Sequence, residues 1–231
     1  MKVCTDACLF GSILAGKISG WFYSSFEGSR RVYCLDIGTG TGLLSLMIAQ
    51  KNNFVKVDAV EINEDAAVQA KDNFQSSLWN NRLQLICADV KKFQFNKKYD
   101  FIFSNPPFFE DDLKSIQPQR NTALHSTDLS LKELLHIIKN NLAENGSFAV
   151  LLPYHRTEYF EKLCKEESFH CNEKVLVKQT PKHNFFRSIL FFSQKDIPVQ
   201  QKEIVIQTES NQYSDKFKIL LRNYYLNVDK V

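Results

Sequence analysis

Asn105-Pro106-Pro107-Phe108 combines the residue types needed to hold and aim a planar amine. The Asn105 side-chain amide and the Pro106 backbone each offer a carbonyl oxygen, and Phe108 adds a flat apolar face. Neither proline can donate a backbone hydrogen bond, and each forces the residue before it into an extended conformation, so the acceptors are held stiffly. Two fixed acceptors beside an aromatic ring suit an NH2 on a flat ring, such as a nucleobase amine. Such an amine is a poor nucleophile because its lone pair is delocalised into the ring. Accepting both of its N–H bonds favours a pyramidal nitrogen with an aimed lone pair. Orientation then does most of the work, and no strong general base is required or evident. A strand that simply ends in a Pro-Pro turn would use the same residues, so the tetrapeptide must be weighed with what precedes it.

A second constellation lies upstream. Gly38-Thr39-Gly40-Thr41-Gly42 follows the apolar run Arg31–Ile37 and precedes an apolar helix over 43–50. Strand, glycine-rich turn and helix open a nucleotide-binding βαβ unit, in which glycine admits positive φ and close approach of a ligand. The spacing is G-x-G-x-G, not the G-x-G-x-x-G suited to a dinucleotide pyrophosphate, and Asp36 stands just before it. A carboxylate there repels phosphate and attracts an ammonium. That favours S-adenosylmethionine, which carries an ammonium and a sulfonium and no phosphate. Glu61 closes the next apolar run, 55–60, about 20 residues beyond the glycines, where an acid takes ribose hydroxyls. Asp89 closes a third, 83–88, as a candidate acceptor for an adenine amine. One acid at a strand end is often only a cap or a solvated turn. Three acids and Asn105, each just past a successive strand, are harder to dismiss.

Positioning these residues requires strands that end on one side of a sheet. The runs 31–37, 55–60, 83–88, 100–104 and 147–152 read as buried strands, the last entered through an Asn145-Gly146 turn and stopped by Pro153. Helices are expected over 2–20, with Thr5-Asp6 as its cap and Val3, Ala7, Phe10, Ile13 and Leu14 on its apolar face, and after Asn63, over 130–141 and over 158–167. Residues 110–127 are expected to form a long polar loop beside the site, of the kind that serves as a lid. Lys174–Lys178 and Phe186–Ser193 are expected to pair antiparallel. The stretch 174–187 holds Lys174, Lys178, Lys182, His183 and Arg187 without an acid, together with Phe185 and Phe186. Cations interleaved with aromatics can grip a phosphate backbone and stack bases, although solvated hairpin lysines look the same.

The chain has 231 residues, 44% apolar and 24% charged, with a formal net charge of +3. That is the composition of an ordinary soluble globular protein with a sizeable core. The mild positive charge permits a polyanionic partner without requiring one. Cys4, Cys8, Cys34, Cys87, Cys164 and Cys171 show no C-x-x-C spacing, so neither a zinc nor a redox framework is expected. Several lie inside apolar runs, which suits buried free thiols in a reducing cytoplasm. No secretory leader and no run long enough to span a bilayer is expected.

This pattern resembles the class I S-adenosylmethionine-dependent methyltransferases, with the Asn-Pro-Pro-Phe tetrapeptide of their amino-methylating branch. Met1-Lys-Val-Cys-Thr-Asp-Ala-Cys-Leu-Phe-Gly11, Asp36-Ile-Gly-Thr-Gly-Thr-Gly42, Asn105-Pro-Pro-Phe-Phe109 and Phe217-Lys-Ile-Leu-Leu-Arg-Asn-Tyr-Tyr-Leu226 together are similar to the bacterial tRNA1(Val) (adenine(37)-N6)-methyltransferases. The resemblance covers almost the whole chain. It implies an α/β, doubly wound Rossmann-like methyltransferase fold, mainly parallel with an antiparallel C-terminal hairpin. One domain over 1–231 is expected, with an N-terminal helical segment and loop (1–30), a cofactor-binding core (31–153) and a C-terminal helix and hairpin (154–231). The implied reaction is methyl transfer from S-adenosylmethionine to N6 of an adenine in tRNA. Catalysis would use Asn105, Pro106, Pro107 and Phe108, and the cofactor would meet Thr5, Asp36, Gly38, Thr39, Gly40, Gly42, Glu61, Ile62, Asp89, Val90 and Asn105. The tRNA partner would be gripped through Lys178, Lys182 and Arg187. Two features depart from the family. Its members usually carry a further stretch before the segment that begins here at Met1, and Ala123-Leu124-His125-Ser126 stands where they tend to show Ala-Arg-His-Thr. A protein glutamine, a guanine N2 and a DNA adenine are alternative amine targets for the same tetrapeptide. A non-enzymatic RNA-binding module on this fold is a rival of another class, and a nicotinamide dehydrogenase is disfavoured by the glycine spacing.

Overall fold

Strands buried on both faces read as near-continuous apolar runs, and four such runs set the centre of the sheet. The structure, a computed structural model, describes residues 4–25, 31–106 and 129–226. Its eight strands are β1 (Val32–Ile37), β2 (Val55–Glu61), β3 (Leu83–Cys87), β4 (Tyr99–Ser104), β5 (Leu142–Pro153), β6 (His170–Lys178), β7 (Phe185–Ser193) and β8 (Gln200–Val205). They form one sheet in the order β3-β2-β1-β4-β5-β7-β6-β8. β7 runs antiparallel to β5 and β6, while the other pairs are parallel. The mainly parallel sheet with an antiparallel C-terminal hairpin is therefore present as expected.

The helices are α1 (Thr5–Ser25), α2 (Leu43–Lys51), α3 (Glu64–Gln75), α4 (Leu131–Asn141), α5 (Thr157–Glu166) and α6 (Asp215–Leu221). Alternation along the strands divides the core in two. Cys34, Phe101, Phe103, Ala149, Leu151 and Ile189 face a cluster with α1, α2 and α6. Leu35, Ile37, Ile102, Phe148, Val150 and Leu190 face α4 and α5. Ser130 caps α4 in a reciprocal capping box with Glu133, and Asn63 caps α3 by accepting from the Ala66 amide at 2.9 Å.

Several expectations need correction. α1 does not stop near Gly20; it runs through Gly16 and Gly20 to Ser25. Each interior glycine costs about 1 kcal/mol against alanine, whereas burying Leu9, Phe10, Leu14 and Ile18 completely yields roughly 1.5–3 kcal/mol apiece. Burial wins. Thr5 and Asp6 lie within the first turn of α1 rather than capping it, and the Cys8 amide bonds to the Cys4 carbonyl. Asn145-Gly146 does not precede β5 but lies inside it, as a register irregularity between the Tyr99–Leu142 and Phe101–Ser147 pairs. Of the cysteines, Cys8, Cys34 and Cys164 are buried and Cys171 is half-buried, but Cys4 and Cys87 are exposed, because Cys87 ends the edge strand β3. β8 is not among the strands expected from the sequence. Among the described residues no helix is long and apolar enough to cross a membrane. The loop expected over 110–127 and the Ala123–Ser126 segment lie outside the described residues.

Candidate active site

From β1 the chain proceeds outward through β2 to β3 and then returns to place β4 on β1's other side. That reversal leaves a crevice at the carboxyl ends of β1 and β4, where open α/β sheets take ligands. The registers Ile37–Val60, Ile37–Ser104 and Glu61–Cys87 put Gly38, Glu61, Asp89 and Asn105 at one edge. Adjacent strands are about 4.8 Å apart, so the row from Asp89 to Asn105 spans roughly 15 Å.

Asp36 is fully buried at the end of β1. Its Oδ2 accepts from the Thr39 and Ser45 hydroxyls, both at 2.7 Å. Its Oδ1 is buried and has no partner among the described residues. Burial pushes the Asp36 carboxyl up to about 6, against the opposing pull of those two hydroxyls. An unsatisfied buried carboxylate oxygen is costly, and a cation brought to it would remove that cost. Ser45 was not foreseen in the sequence; its signal was a lone hydroxyl in the apolar helix Leu43–Ala49.

The glycine turn is tied down by backbone bonds. The Gly38 and Thr39 amides donate to the Val60 carbonyl at 2.9 and 3.0 Å. Gly38, Gly40 and Gly42 all have positive φ, at 71°, 58° and 86°, a region that other residues enter with strain. At Gly42 a Cβ would also meet Phe74 Cε1 at 2.4 Å, so α3 seals the turn from behind. Glu61 is nearly buried and works on this turn too: Oε2 accepts from the Gly40 amide at 2.8 Å and Oε1 from the Asn63 amide at 2.9 Å. Ile62 follows with 49% of its surface exposed, an apolar face beside an acid.

Asp89 is half-buried, and its Oδ1 accepts from the Lys91 amide at 3.0 Å while Lys92 lies 3.7 Å from Oδ2. Val90 packs against the second core cluster. Asn105 is held by the end of β4, which Ser104 pins to β1 through a 2.8 Å bond to the Ile37 carbonyl. The Asn105 Oδ1 is the second buried oxygen at this edge without a partner among the described residues, and Pro106 beside it is buried. Pro107 and Phe108 lie outside the described residues. Thr5 sits at the start of α1, whose Cys8 belongs to the core cluster against which Tyr225 packs.

The basic stretch is less bare than its composition suggests, because acids reach it from distant segments. Lys174 bonds to Glu161 at 2.8 Å, Lys182 lies 3.1 Å from Glu209, and Arg187 Nε bonds to Asp6 at 2.8 Å. Lys178 stands 4.5 Å from the centroid of the Phe185 ring, and Arg187 lies 5.4 Å from that of Phe186.

Residues 1–174 match the family model of the methyltransferase small domain. The chain is 35% identical to a tRNA1(Val) (adenine(37)-N6)-methyltransferase of Bacteroides fragilis, over 99% of this chain and 92% of the relative. It is 39% identical to one of Aliivibrio fischeri, with the same coverage. Among solved structures, the Agrobacterium tumefaciens protein Atu636 matches with a TM-score of 0.67 at 12% identity, over 94% of this chain and 95% of that one. The magnesium protoporphyrin IX methyltransferase of Synechocystis, solved with bound S-adenosylmethionine, matches with a TM-score of 0.55 at 14% identity, over 80% of each chain. At such identity these two show the fold, a Rossmann-like methyltransferase sheet.

Proposed function

The chain belongs to the methyltransferase small domain family, among the tRNA1(Val) (adenine(37)-N6)-methyltransferases, and from that premise we propose how its own residues carry the reaction. It is an S-adenosylmethionine-dependent enzyme that methylates N6 of an adenine in tRNA. The observation that carries the assignment of residues is the pair of buried, unpartnered oxygens, Asp36 Oδ1 and Asn105 Oδ1, at the ends of adjacent strands. One is anionic and suits the ammonium of the cofactor. The other is a neutral acceptor and suits an amine hydrogen. The donor set thus fits S-adenosylmethionine beside an amine.

In this reading Asp36 holds the ammonium, and Gly38, Thr39, Gly40 and Gly42 let the backbone approach the cofactor closely. Glu61 offers its remaining lone pairs to the ribose hydroxyls while it keeps Gly40 and Asn63 in place. Ile62 and Val90 flank the adenine ring, Asp89 accepts from its amine, and Thr5 closes the site from α1. S-adenosylmethionine supplies a methyl group already activated by the sulfonium. The chain therefore has to aim the nucleophile. Asn105 and the Pro106 carbonyl accept the two N–H bonds of the adenine amine, Pro107 stiffens that turn, and Phe108 stacks on the base. Lys178 and Lys182 meet phosphates in this reading; Arg187, bonded to Asp6, contributes chiefly by fixing α1 to the start of β7. The three segments 1–30, 31–153 and 154–231 act as one domain.

Labelled S-adenosylmethionine incubated separately with tRNA, ribosomal RNA, DNA and a release-factor protein tests this. Label is expected in tRNA. Label confined to protein or DNA would overturn the reading.

A further inference from the structure

Tyr154 takes no part in the chemistry above, yet it stands on the rim of the same site. It is the first residue beyond β5, the strand directly beside β4 and Asn105. The β4–β5 register, with Ser104 opposite Val150, lets Asn105 and Pro106 leave the sheet beside the Leu151–Pro153 end of β5. On the far side of β5, Pro153 pairs with Arg187, which brings the start of β7 and Phe185 to the same edge.

The rings of Tyr154 and Phe185 lie with centroids 5.3 Å apart and planes inclined at 45°. The Lys178 ammonium is 4.5 Å from the Phe185 centroid, and Tyr154 itself is 42% exposed. Its surroundings are polar, with His155, Lys182, His183 and Asn184 exposed nearby in the chain turns of this edge, so the patch is not an apolar docking face. An open aromatic face, backed by a second ring and flanked by an ammonium, is complementary to an unpaired nucleotide. The base would lie on the ring and the phosphate near the ammonium.

There is also a need for such a surface. An adenine must leave its stack before Asn105 and Pro106 can receive its amine, and unstacking costs a few kcal/mol. The neighbouring base then exposes a face. We propose that Tyr154, backed by Phe185 and flanked by Lys178, stacks on the unpaired base next to the target adenine, so that the RNA stays unstacked there while the adenine is presented. This rests on the reading of the chain as a tRNA adenine-N6 methyltransferase.

Steady-state methylation of tRNA by Tyr154→Ala, Tyr154→Phe and Tyr154→Trp tests it, with S-adenosylhomocysteine titration of each. Loss of one base stack is expected to raise the KM for tRNA in Tyr154→Ala roughly ten- to a hundredfold, with the loss in KM rather than kcat. Tyr154→Phe and Tyr154→Trp, which keep a ring, should recover most of that loss, and S-adenosylhomocysteine affinity should follow the wild type. Lys178→Gln should flatten the log–log salt dependence of tRNA binding by about 0.7. A wild-type enzyme that methylates tRNA alongside a Tyr154→Ala variant with unchanged KM would overturn the stacking role alone. Equal defects in Tyr154→Ala and Tyr154→Phe would do so too, since the ring would then not matter. A wild-type protein that methylates no tRNA would instead remove the functional reading on which the inference stands.

Discussion

Replacing Asp36 by asparagine should make the unliganded protein more stable and weaken its grip on the cofactor. The buried carboxyl is raised from 3.8 to about 6, chiefly by burial, so holding it ionised without a cation beside it costs about 3 kcal/mol relative to an unperturbed carboxylate. A folded-state pKa above the unfolded value means that the stability contributed by this group is fully present below pH 3.8. It is lost as pH rises through about 6. Asparagine keeps an oxygen for Thr39 and Ser45 and never ionises. At pH 8 Asp36→Asn should therefore gain up to about 3 kcal/mol, reduced by whatever the new NH2 group loses where Oδ1 had no partner. In a chain of this length each kcal/mol moves Tm by about 2–4 °C, and the gain should vanish by pH 4. S-adenosylhomocysteine carries the same ammonium, and losing its charge-assisted bond should weaken binding by roughly one to two decades. Wild-type affinity should likewise fall as pH drops through 6, a dependence that the variant should lack. The assays are thermal melts from pH 4 to 8 and calorimetric titration over the same range. A variant that melts lower at pH 8 and binds S-adenosylhomocysteine as the wild type does would refute the reasoning. It would make Asp36 a clasp for the turn and nothing more.

Glu61→Gln places an NH2 against one of two backbone donors, Gly40 or Asn63, so cofactor affinity should fall about tenfold or more and Tm by a few degrees; titration and melting check both. Gly42→Ala must adopt φ near 86° and press a Cβ onto Phe74, which should destabilise by about 2–5 kcal/mol in denaturant unfolding. Adding Phe74→Leu should recover the steric part. Replacing Lys178 and Lys182 together by alanine should lower the salt slope of tRNA binding by about 0.7–0.9 for each phosphate left without its lysine, with S-adenosylhomocysteine affinity unmoved. A wild-type slope would return both lysines to the solvated surface.

The candidate site was legible where its residues are local in sequence. β1, β2 and β4 are apolar because both faces are covered, so the acid or amide that ends each run stands out, and glycines with positive φ mark the turn between β1 and α2. Long-range pairing left no such trace. Arg187 and Asp6 are 181 residues apart, so a stretch without acids looked freer than it is. β8 is an exposed, polar edge strand without alternation, and only its register with β6 defines it. The glycines within α1 look like breakers until the helix is seen to bury Leu14 and Ile18 completely. Gly11, by contrast, has a packing reason: a Cβ there would meet Met47 Sδ at 2.5 Å.

In the proposed reaction Asn105, through the oxygen that has no partner among the described residues, aims an adenine amine at the methyl donor. Nucleoside-resolved mass spectrometry of tRNA after single-turnover reaction with wild type, Asn105→Ala and Asn105→Asp measures it most directly. The wild-type protein should form N6-methyladenosine at one adenine. Both variants should form it at least roughly a hundredfold more slowly while binding S-adenosylhomocysteine at near wild-type affinity. N6-methyladenosine formed by Asn105→Ala at the wild-type rate, or a methyl group found on guanine N2 instead, would contradict it.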